Sequence, residues 1–282
     1  MAMTEKTCQV AVLGAGPGGY AAAFMASDLG FQTALINEEA NPGGVCLYRG
    51  CIPSKALLHA AKVLDESKEV AEIGISFAPP EINLDRLRDW KGSVVQKLTG
   101  GLGGMVKARK IDYVLGRGRL RDNRSLVVDL AEGGQTLVRF EHLILATGSR
   151  PIVPPIFNIN SPRVMDSTGA LELPDAPKNM LVIGGGYIGL ELGSVYASLG
   201  SQVTVVEMTS GLLPGADRDL VKILQDRLEK KMHQILLKTK VVKLVDTGPA
   251  VDVTLQHADG TVTTSSYERV LVSIGRRPNT ED

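Results

Sequence analysis

The chain has 282 residues, 44% of them hydrophobic and 31 of them glycine, so it is long enough for two domains or one large one. Its 31 basic residues balance 31 acidic ones, which gives no reason to expect nucleic acid or an anionic membrane as partner. Three cysteines do not make the disulfide framework of a secreted domain. No signal pattern or membrane-length apolar run is found, so we expect a cytoplasmic α/β protein.

The first predicted unit is a strand, a glycine loop, a helix and a second strand. The apolar run Gln9–Leu13 predicts a buried parallel strand, and it leads into Gly14-Ala15-Gly16-Pro17-Gly18-Gly19. An alanine-rich helix over Ala21–Leu29 ends at Gly30, and Gln32–Ile36 predicts the next strand. A G-x-G-x-x-G pattern alone is weak, but this order of elements favours a dinucleotide-binding site over a purely structural βαβ unit.

Each glycine of the pattern has its own expected role. Gly14 allows the tight turn, Gly16 lets the backbone approach a pyrophosphate, and Gly19 lets the helix pack against the strand. The N-terminus of the helix supplies the site for the anion. The adenosine ribose is expected at the end of the second strand, where either Asn37 or Glu38 could hold it.

A cysteine pair follows the first unit, in the stretch Gly43-Gly44-Val45-Cys46-Leu47-Tyr48-Arg49-Gly50-Cys51-Ile52-Pro53-Ser54-Lys55. The Cys-x4-Cys spacing is too open for a Cys-x-x-Cys motif, and no second pair of ligands follows at zinc spacing. If Cys46 to Cys51 begins a helix, one turn brings both sulfurs to the same face, within reach of a disulfide. A helix N-terminus also lowers a thiol pKa, which suggests a redox couple. Taken alone, however, the pair is more simply interpreted as two small buried residues.

The middle of the chain is predicted from periodicity and turn residues. The elements are a helix over Leu47–Lys68, a loop at Phe77–Pro80, a helix over Asp85–Lys107 broken near Gly100-Gly101, a meander over Ile111–Gly118 and Ser125–Phe140, and a strand over His142–Ala146. That strand leads into Ala146-Thr147-Gly148-Ser149-Arg150-Pro151, and the proline-rich segment 151–155 predicts a linker. A domain boundary is therefore expected after residue 150.

The strand–loop–helix–strand design recurs in the second half. A strand over Asn179–Ile183 precedes Gly184-Gly185-Gly186-Tyr187-Ile188-Gly189, and a helix to Leu199, Gly200 and a strand over Gln202–Val206 follow. Repetition of one βαβ unit predicts a protein that holds two dinucleotides at once. The second strand ends at Glu207, whose carboxylate would accept hydrogen bonds from a ribose 2′-hydroxyl and repel a 2′-phosphate. The sequence therefore favours NAD over NADP at this site.

The rest of the second half predicts a helix over Asp217–Lys231, a meander over Val241–Val262 and a strand over Val270–Ile274 that leads into Gly275-Arg276-Arg277-Pro278-Asn279. Cys8 lies among apolar neighbours on the first strand and is expected to be a buried spectator. The histidines are expected on the surface or in loops; they are His59, His142, His233 and His257.

Two such fingerprints, with Cys-x4-Cys directly after the first, resemble the pyridine nucleotide–disulfide oxidoreductases along the whole chain. The cysteine stretch, Ala146–Pro151 and Gly275–Asn279 are landmarks of that family. Within the family the chain looks most like a bacterial dihydrolipoamide dehydrogenase. The resemblance implies an α/β fold of two Rossmann-like domains in three layers, each with a parallel sheet and an antiparallel meander. It places an FAD domain at 1–150, an NAD domain at 151–275 and the start of a return to the first at 276–282.

The resemblance also implies roles for individual residues. Cys51 would lie against the flavin, Cys46 would exchange with the substrate dithiol, and Lys55 would pair with Glu191 beside the flavin ring. Tyr187 would shield the nicotinamide pocket, and no metal is expected. The residues that would hold FAD and NAD are Gly14, Gly16, Gly19, Asn37 or Glu38, Gly43, Gly44, Lys55, Gly118, Thr147, Gly148, Gly184, Gly186, Tyr187, Ile188, Gly189, Glu207 and Gly275.

The implied activity is oxidation of protein-bound dihydrolipoamide to lipoamide with reduction of NAD, as in 2-oxo acid dehydrogenase complexes. A substrate thiolate would attack Cys46 and release Cys51 as thiolate, and the second substrate thiolate would displace Cys46. Electrons would then pass from Cys51 to FAD and on to NAD. The implied partner is a lipoyl-bearing protein, and full-length family members are homodimers.

Two parts of the family pattern are not found. Family members take a general base from a His with a Glu five positions later, and none of the four histidines has a glutamate at that offset. The flavin-contacting Gly-Asp motif and the interface domain would follow Asn279, beyond the 282 residues. We therefore expect a piece of a longer enzyme, with weak or absent lipoamide turnover alone. The alternatives are a non-catalytic dinucleotide-binding fragment, or a glutathione- or mercuric-type reductase, which Glu207 disfavours.

Overall fold

The computed structural model describes residues 3–281, and these divide into two compact units. The first unit contains the residues up to Pro53, Gly92–Arg150 and the residues from Pro278 onward. The second contains Ser54–Lys91 and Pro151–Arg277. No helix in the described range 3–281 is long and apolar enough to cross a membrane.

The helices and strands follow one another in α/β order. The helices are α1 (Pro17–Asp28), α2 (Gly44–Arg49), α3 (Cys51–Glu69), α4 (Leu84–Ala108), α5 (Ser167–Leu171), α6 (Tyr187–Ser198) and α7 (Arg218–Lys231), with a 3₁₀ turn at Val70–Ile73. The strands are β1 (Thr4–Leu13), β2 (Thr33–Asn37), β3 (Asp112–Asp122), β4 (Ser125–Leu130), β5 (Gln135–Leu145), β6 (Ser149–Pro151), β7 (Val164–Met165), β8 (Asn179–Ile183), β9 (Gln202–Val206), β10 (Gln234–Leu236), β11 (Lys240–Asp246), β12 (Val251–Gln256), β13 (Val262–Tyr267), β14 (Arg269–Val272) and β15 (Arg276–Pro278).

The first unit is built on β1 to β5. β1 is parallel to β2 and β5, β2 is parallel to β3, and β4 runs antiparallel between β3 and β5. Because β5 pairs with both β4 and β1, the five strands close on themselves. Leu13 of β1 is in register with Ile36 of β2 and Leu145 of β5, so three carboxyl ends lie side by side. Ligands of parallel sheets bind at such an edge.

The second unit has a parallel sheet in the order β10-β9-β8-β14-β7 and an antiparallel meander β11-β12-β13. The residues of β8 alternate between the two faces of the sheet. Met180 and Val182 pack in the cluster that includes Tyr196 of α6, whereas Leu181 and Ile183 pack with the meander. The three layers are therefore helix, parallel sheet and antiparallel sheet. The predicted α/β fold class with a meander is confirmed.

The predicted single helix over Leu47–Lys68 is wrong, because the chain forms α2 and α3 with a break at Gly50. A Cβ on Gly50 would lie 2.9 Å from the carbonyl oxygen of Val45, so glycine is what lets the chain turn back this closely. Cys46 therefore lies in α2 and Cys51 begins α3. The two cysteines are not on one turn of a continuous helix.

The predicted break in the next helix is also wrong, since α4 runs without interruption from Leu84 to Ala108 through Gly100 and Gly101. A glycine in a helix interior costs only about 1 kcal/mol relative to alanine. Val95 and Val106 on the flanking turns are buried, and burial of two such side chains is large enough to offset that cost.

The grouping of residues also differs from the predicted domain 1–150. Ser54–Lys91, which includes most of α3, belongs with the second unit. Leu57 and Ala61 of α3 are buried in the same hydrophobic cluster as Met180 of β8. Contacts between residues so far apart in the chain leave no trace in local periodicity.

Tyr196 should contribute measurably to stability. Its side chain is fully buried, and its hydroxyl donates a 2.9 Å hydrogen bond to the carbonyl oxygen of Ala170 in α5. Tyr196→Phe keeps the ring and removes this hydrogen bond, although the N–H of Leu173 still donates to the same carbonyl at 3.2 Å, so we expect the free energy of unfolding to fall by about 1 kcal/mol. Urea denaturation measures this, and an unchanged midpoint would contradict the contribution of the hydrogen bond.

Candidate functional site

The first glycine loop joins β1 to α1 and leaves one open surface. Gly14 has φ +97°, and a Cβ there would lie 2.3 Å from the carbonyl oxygen of Ala146. A Cβ on Gly19 would lie 1.7 Å from the carbonyl oxygen of Gly14. Gly16 is different, because its Cβ would meet only the Cα of Gly44, at an ordinary 3.8 Å. Gly14 and Gly19 are therefore required by packing, whereas Gly16 keeps the loop surface clear.

The start of α1 is suited to an anion. Its first residues are Pro17 and Gly18, and its N-cap Gly16 contributes no side-chain hydrogen bond. Backbone N–H groups in a first turn without a side-chain cap carry a partial positive charge. Together with the open surface at Gly16, this is the geometry that binds a phosphate.

A cleft of ≈ 610 Å³ adjoins the first glycine loop in the first unit. It brings together five residues that the sequence predicted for one cofactor, Gly14, Asn37, Glu38, Gly118 and Thr147. A Cβ on Gly118 would lie 2.7 Å from the Cδ1 of Leu13 and 3.2 Å from the Cγ2 of Ile36, so a side chain here would push these two side chains aside.

The structure separates the two candidates for the ribose in this cleft. The amide oxygen of Asn37 accepts a hydrogen bond from the N–H of Ala15 at 3.2 Å. Its amide nitrogen donates to the Glu39 carbonyl at 3.4 Å and to the Tyr113 hydroxyl at 3.3 Å. Asn37 thus ties the glycine loop to β2. Glu38 is exposed and lines the cleft, and no hydrogen bond of its side chain ties it to the glycine loop in the way that Asn37 is tied.

The cleft is also lined by a hydrogen-bonded group of side chains that the sequence did not predict. Thr147 donates its hydroxyl to the Asn279 carbonyl at 2.7 Å, and the Asn279 amide donates to the Thr147 carbonyl at 2.8 Å. Arg150 donates to the Asn279 side chain at 2.6 Å and pairs with Glu281 at 2.5 Å. Gly148 adopts φ +74° between these residues. The signal available was the Pro278-Asn279 motif, which gives no hint of its partners.

The second glycine loop, between β8 and α6, repeats the design of the first. Gly184 has φ +107°, and a Cβ there would lie 2.5 Å from the carbonyl oxygen of Ser273. A Cβ on Gly189 would lie 2.4 Å from the carbonyl oxygen of Gly184. No described atom lies within 4 Å of the corresponding position on Gly186. α6 also begins without a side-chain cap, so this loop offers a second anion site.

Glu207 lies at the end of β9 and is buried, with 8% of its surface exposed. One carboxylate oxygen accepts from the N–H of Gly185 at 2.7 Å and the other from the N–H of Thr209 at 2.7 Å. Two backbone donors therefore hold a negative charge against the glycine loop. A carboxylate retains further lone pairs with which to accept from a hydroxyl.

Three other residues predicted for the second site differ in their surroundings. Tyr187 is 64% exposed at the start of α6. Ile188 packs against the hydrophobic cluster of the second unit and is better explained as a packing residue. Gly275 has φ +133°, and its carbonyl oxygen accepts from the N–H of Ile152 at 3.0 Å.

The cysteine segment is fastened to the first glycine loop. Gly43 donates its N–H to the carbonyl oxygen of Ala15 at 2.8 Å. Gly44 has φ +56°, and a Cβ there would lie 2.5 Å from the Cα of Gly16. Only glycine permits this approach, which begins α2 against the loop. The cysteine segment, which follows the first βαβ unit in sequence, therefore also starts next to its glycine loop in space. Cys46 comes two residues after Gly44.

The thiols of the pair differ in exposure. Cys46 is half-buried in α2, and Cys51 is exposed at the first position of α3. All three cysteines lie in the described chain, and no disulfide joins them there. The segment between α2 and the first loop is further held by an ion pair of Arg49 with Glu39 and a 3.1 Å hydrogen bond from Tyr48 to the Asn41 carbonyl.

Lys55 and Glu191, predicted as a pair, are brought together in the second unit. The ammonium of Lys55 lies 2.6 Å from one carboxylate oxygen of Glu191. The hydroxyl of Ser54 donates to the other carboxylate oxygen at 2.8 Å. Ser54 is buried, so it fixes the Glu191 rotamer from the protein side. Sequence reasoning assigned Ser54 no role, although it stands in the Pro-Ser-Lys motif.

Cys8 should be far less reactive than the pair. It is buried, and its sulfur lies 3.6 Å from the carbonyl oxygen of Arg139. Burial raises the pKa of the Cys8 thiol to about 11. Only about one molecule in a thousand is then thiolate at pH 8. Iodoacetamide at pH 8 should label Cys51 and spare Cys8, as read by peptide mass spectrometry, and labelling of Cys8 should rise as pH approaches 11. Equal rates at pH 8 would contradict its burial.

The histidines and possible metal ligands are dispersed. His59, His142 and His233 are exposed, and His257 is half-buried. Across residues 3–281, no group of three or more His, Cys, Asp and Glu side chains is arranged to hold a metal ion.

Comparison with known proteins gives consistent matches along almost the whole chain. The dihydrolipoyl dehydrogenases of Vibrio cholerae and Haemophilus influenzae are 46% and 48% identical over 275 residues. These matches cover 98% of this chain and 58% and 57% of those proteins. The leghemoglobin reductase of Vigna unguiculata is 44% identical over 273 residues, which is 96% of this chain and 52% of that protein.

A solved structure matches as well. The Cu(II) complex of an HOCl-induced flavoprotein disulfide reductase from Escherichia coli has a TM-score of 0.81 at 30% identity. The match covers 98% of this chain and 58% of that one. The chain therefore spans little more than half the length of these relatives. The profile of the pyridine nucleotide-disulphide oxidoreductases matches residues 8–282, and the chain belongs to that family.

Proposed function

We propose that the chain acts in an NAD-linked dihydrolipoyl dehydrogenase, with FAD at the first glycine loop, NAD at the second and a lipoyl-bearing protein as substrate. The observation that carries the proposal is the attachment of the cysteine segment to the first loop, through Gly43–Ala15 and Gly44–Gly16. A dithiol beside one dinucleotide cradle, in a chain with a second cradle, suits electron transfer from thiols to a nicotinamide. The names and identities of the bacterial relatives support it.

The first loop fits FAD by its shape and chemistry. The clear surface at Gly16 and the start of α1 would hold the pyrophosphate, and Glu38 would accept from the adenosine ribose. FAD, when bound, supplies a carrier that accepts two electrons from a dithiol and delivers hydride to a nicotinamide. The residues on the opposite wall, Thr147 and Asn279, would fix the width of the cleft through their paired hydrogen bonds.

The second loop fits NAD better than NADP. Gly186 keeps its surface clear for a pyrophosphate, and Glu207 would accept from the 2′-hydroxyl of the adenosine ribose. A 2′-phosphate would instead meet the fixed negative charge of Glu207. The same feature disfavours a glutathione- or mercuric-type reductase that uses NADPH.

The cysteines would carry the substrate electrons by thiol–disulfide exchange. A substrate thiolate attacks the sulfur of Cys46 in the oxidised pair, the Cys46–Cys51 bond breaks, and Cys51 leaves as thiolate. The second substrate thiolate then attacks the substrate sulfur of the mixed disulfide and releases Cys46. The substrate loses two electrons and becomes a disulfide, and the cysteine pair gains them. The exposed position of Cys51 leaves its sulfur open to a bound cofactor.

Lys55 would stabilise negative charge produced in these steps. It lies one helical turn after Cys51 on α3, and Glu191 and Ser54 fix its ammonium in place. A nearby cation favours the thiolate form of a cysteine. The roles assigned to Lys55 and Glu191 are thus electrostatic.

Anaerobic titration of the FAD-loaded chain tests this function. We expect dihydrolipoamide to reduce the cysteine pair and to produce the long-wavelength absorbance of a thiolate in contact with flavin. NADH should reduce the flavin at far lower concentrations than NADPH, and Cys8→Ser should respond like the unsubstituted chain. If FAD and NADH both bind but no thiol-dependent absorbance develops, a non-catalytic dinucleotide-binding role would be favoured instead. An equal response to NADPH would contradict the NAD assignment.

A further inference from the structure

Arg218 is an exposed arginine at the start of α7 whose guanidinium is bonded entirely to backbone. It donates to the carbonyl oxygens of Leu212 at 2.9 Å, Leu213 at 2.6 Å and Ala216 at 2.8 Å and 3.1 Å. Four of the five guanidinium N–H donors are thereby used. Gly211 provides the space, because a Cβ there would lie 2.8 Å from a guanidinium nitrogen.

These hydrogen bonds tie Arg218 to the connection between β9 and α7, residues 207–217. It starts at Glu207 and returns to the second glycine loop, where Leu213 donates its N–H to the carbonyl oxygen of Gly185 at 2.9 Å. Gly185 in turn donates to Glu207. Three hydrogen bonds therefore connect Arg218, through Leu213 and Gly185, to the carboxylate proposed to hold the ribose.

One residue of this connection has a strained backbone conformation, which neighbouring contacts must stabilise. Leu213 adopts φ +48°, in the left-handed region that side chains other than glycine disfavour. A residue in this region is disfavoured and persists when the surroundings fix it. The bonds from Arg218 to Leu212 and Leu213 and the bond from Leu213 to Gly185 are the surroundings that do so.

We propose that Arg218 is a positioning residue for nucleotide selection, which shapes the 207–217 connection around Glu207 and keeps four of its five N–H donors from a 2′-phosphate. This inference rests on the proposed NAD site. An arginine near the ribose would ordinarily accommodate the 2′-phosphate of NADP. Here four of the five N–H donors are committed to carbonyl oxygens, so the guanidinium keeps its charge but has only one N–H left with which to bond a phosphate.

The test measures NADH and NADPH binding to the chain by fluorescence titration, with Arg218→Met and Arg218→Lys. We expect Arg218→Met to raise the Kd for NADH about tenfold, because a pre-organised site becomes a mobile one. The Kd for NADPH should change by less than about twofold, so discrimination falls with it. Arg218→Lys should recover part of the loss, since an ammonium bonds fewer of the carbonyls. The control is Arg227→Met on the same helix, whose weak ion pair with Glu69 spans 3.7 Å.

Equal loss of NADH and NADPH binding, or no change in either, would overturn the proposal. Failure of the unsubstituted chain to bind NADH would overturn the proposed NAD site itself. A second measurement then still tests whether Arg218 holds the 207–217 connection. Amide hydrogen exchange at Leu213 should be slow in the unsubstituted chain and much faster in Arg218→Met, with no nucleotide present. Unchanged exchange at Leu213 would show that Arg218 does not hold the connection.

Discussion

Cys51→Ser should abolish reduction of lipoamide by the chain. On the proposed function, Cys46 of the reduced pair would attack the lipoamide disulfide to form a mixed disulfide. In the unsubstituted chain Cys51 then attacks Cys46, dihydrolipoamide leaves and the Cys46–Cys51 disulfide forms. Without Cys51 no enzyme thiol can carry out the second step, so we expect release of dihydrolipoamide to disappear. The second lipoyl thiol can close the ring again and release Cys46. We therefore expect one lipoyl group on Cys46 when iodoacetamide is added to block that thiol. Intact-mass spectrometry after mixing with lipoamide measures both results, and neither requires FAD or NAD.

Two further variants make this result specific. Cys8→Ser should release dihydrolipoamide like the unsubstituted chain, because Cys8 is buried and its thiol is almost fully protonated at neutral pH. Cys46→Ser should give neither an adduct nor release. An adduct on Cys46→Ser together with none on Cys51→Ser would mean that the two cysteines have exchanged roles.

Gly186→Ala should weaken NADH binding by about tenfold or more while leaving the fold intact. The added methyl group meets no described atom within 4 Å, so nothing in the protein has to move. It occupies instead the surface that the pyrophosphate needs. Fluorescence titration measures the affinity, and thermal unfolding should show the stability of the unsubstituted chain.

Gly189→Ala is the matched contrast within the same loop. Its methyl group would lie 2.4 Å from the carbonyl oxygen of Gly184 and 2.5 Å from the hydroxyl of Ser273, so the backbone must shift. We expect a loss of about 1–3 kcal/mol of stability. Gly92→Ala in α4 meets no described atom within 4 Å and serves as the control for both measurements. The same NADH affinity in Gly186→Ala and Gly92→Ala would contradict the pyrophosphate site at the second loop.

The glycine loops could be predicted from sequence because stereochemistry dictates them. Gly14 and Gly184 adopt positive φ angles that other residues avoid, so a glycine at the start of each pattern indicates the turn directly. The break at Gly50 could not be predicted in this way. Its cause is the distance to the Val45 carbonyl, which no periodicity contains.

The candidate site is a mixture of predictable and unpredictable contacts. Lys55 and Glu191 were paired by resemblance, but the buried hydroxyl of Ser54 that completes the group spans 137 positions to Glu191. The choice between Asn37 and Glu38 stayed open in the sequence, because it depends on which side chain the Ala15 N–H captures. Hydrogen bonds between distant parts of the chain thus engage some side chains of a motif, and local sequence does not show which ones.

The central claim is that one chain holds FAD and NAD in separate cradles. Titration of NAD, which cannot reduce the flavin, into the chain saturated with FAD, followed by calorimetry, tests it most directly. We expect one NAD to bind per chain with the affinity found in the absence of FAD, and Gly186→Ala to lose only this event. Displacement of FAD by NAD, or failure of the chain to bind FAD, would contradict the account.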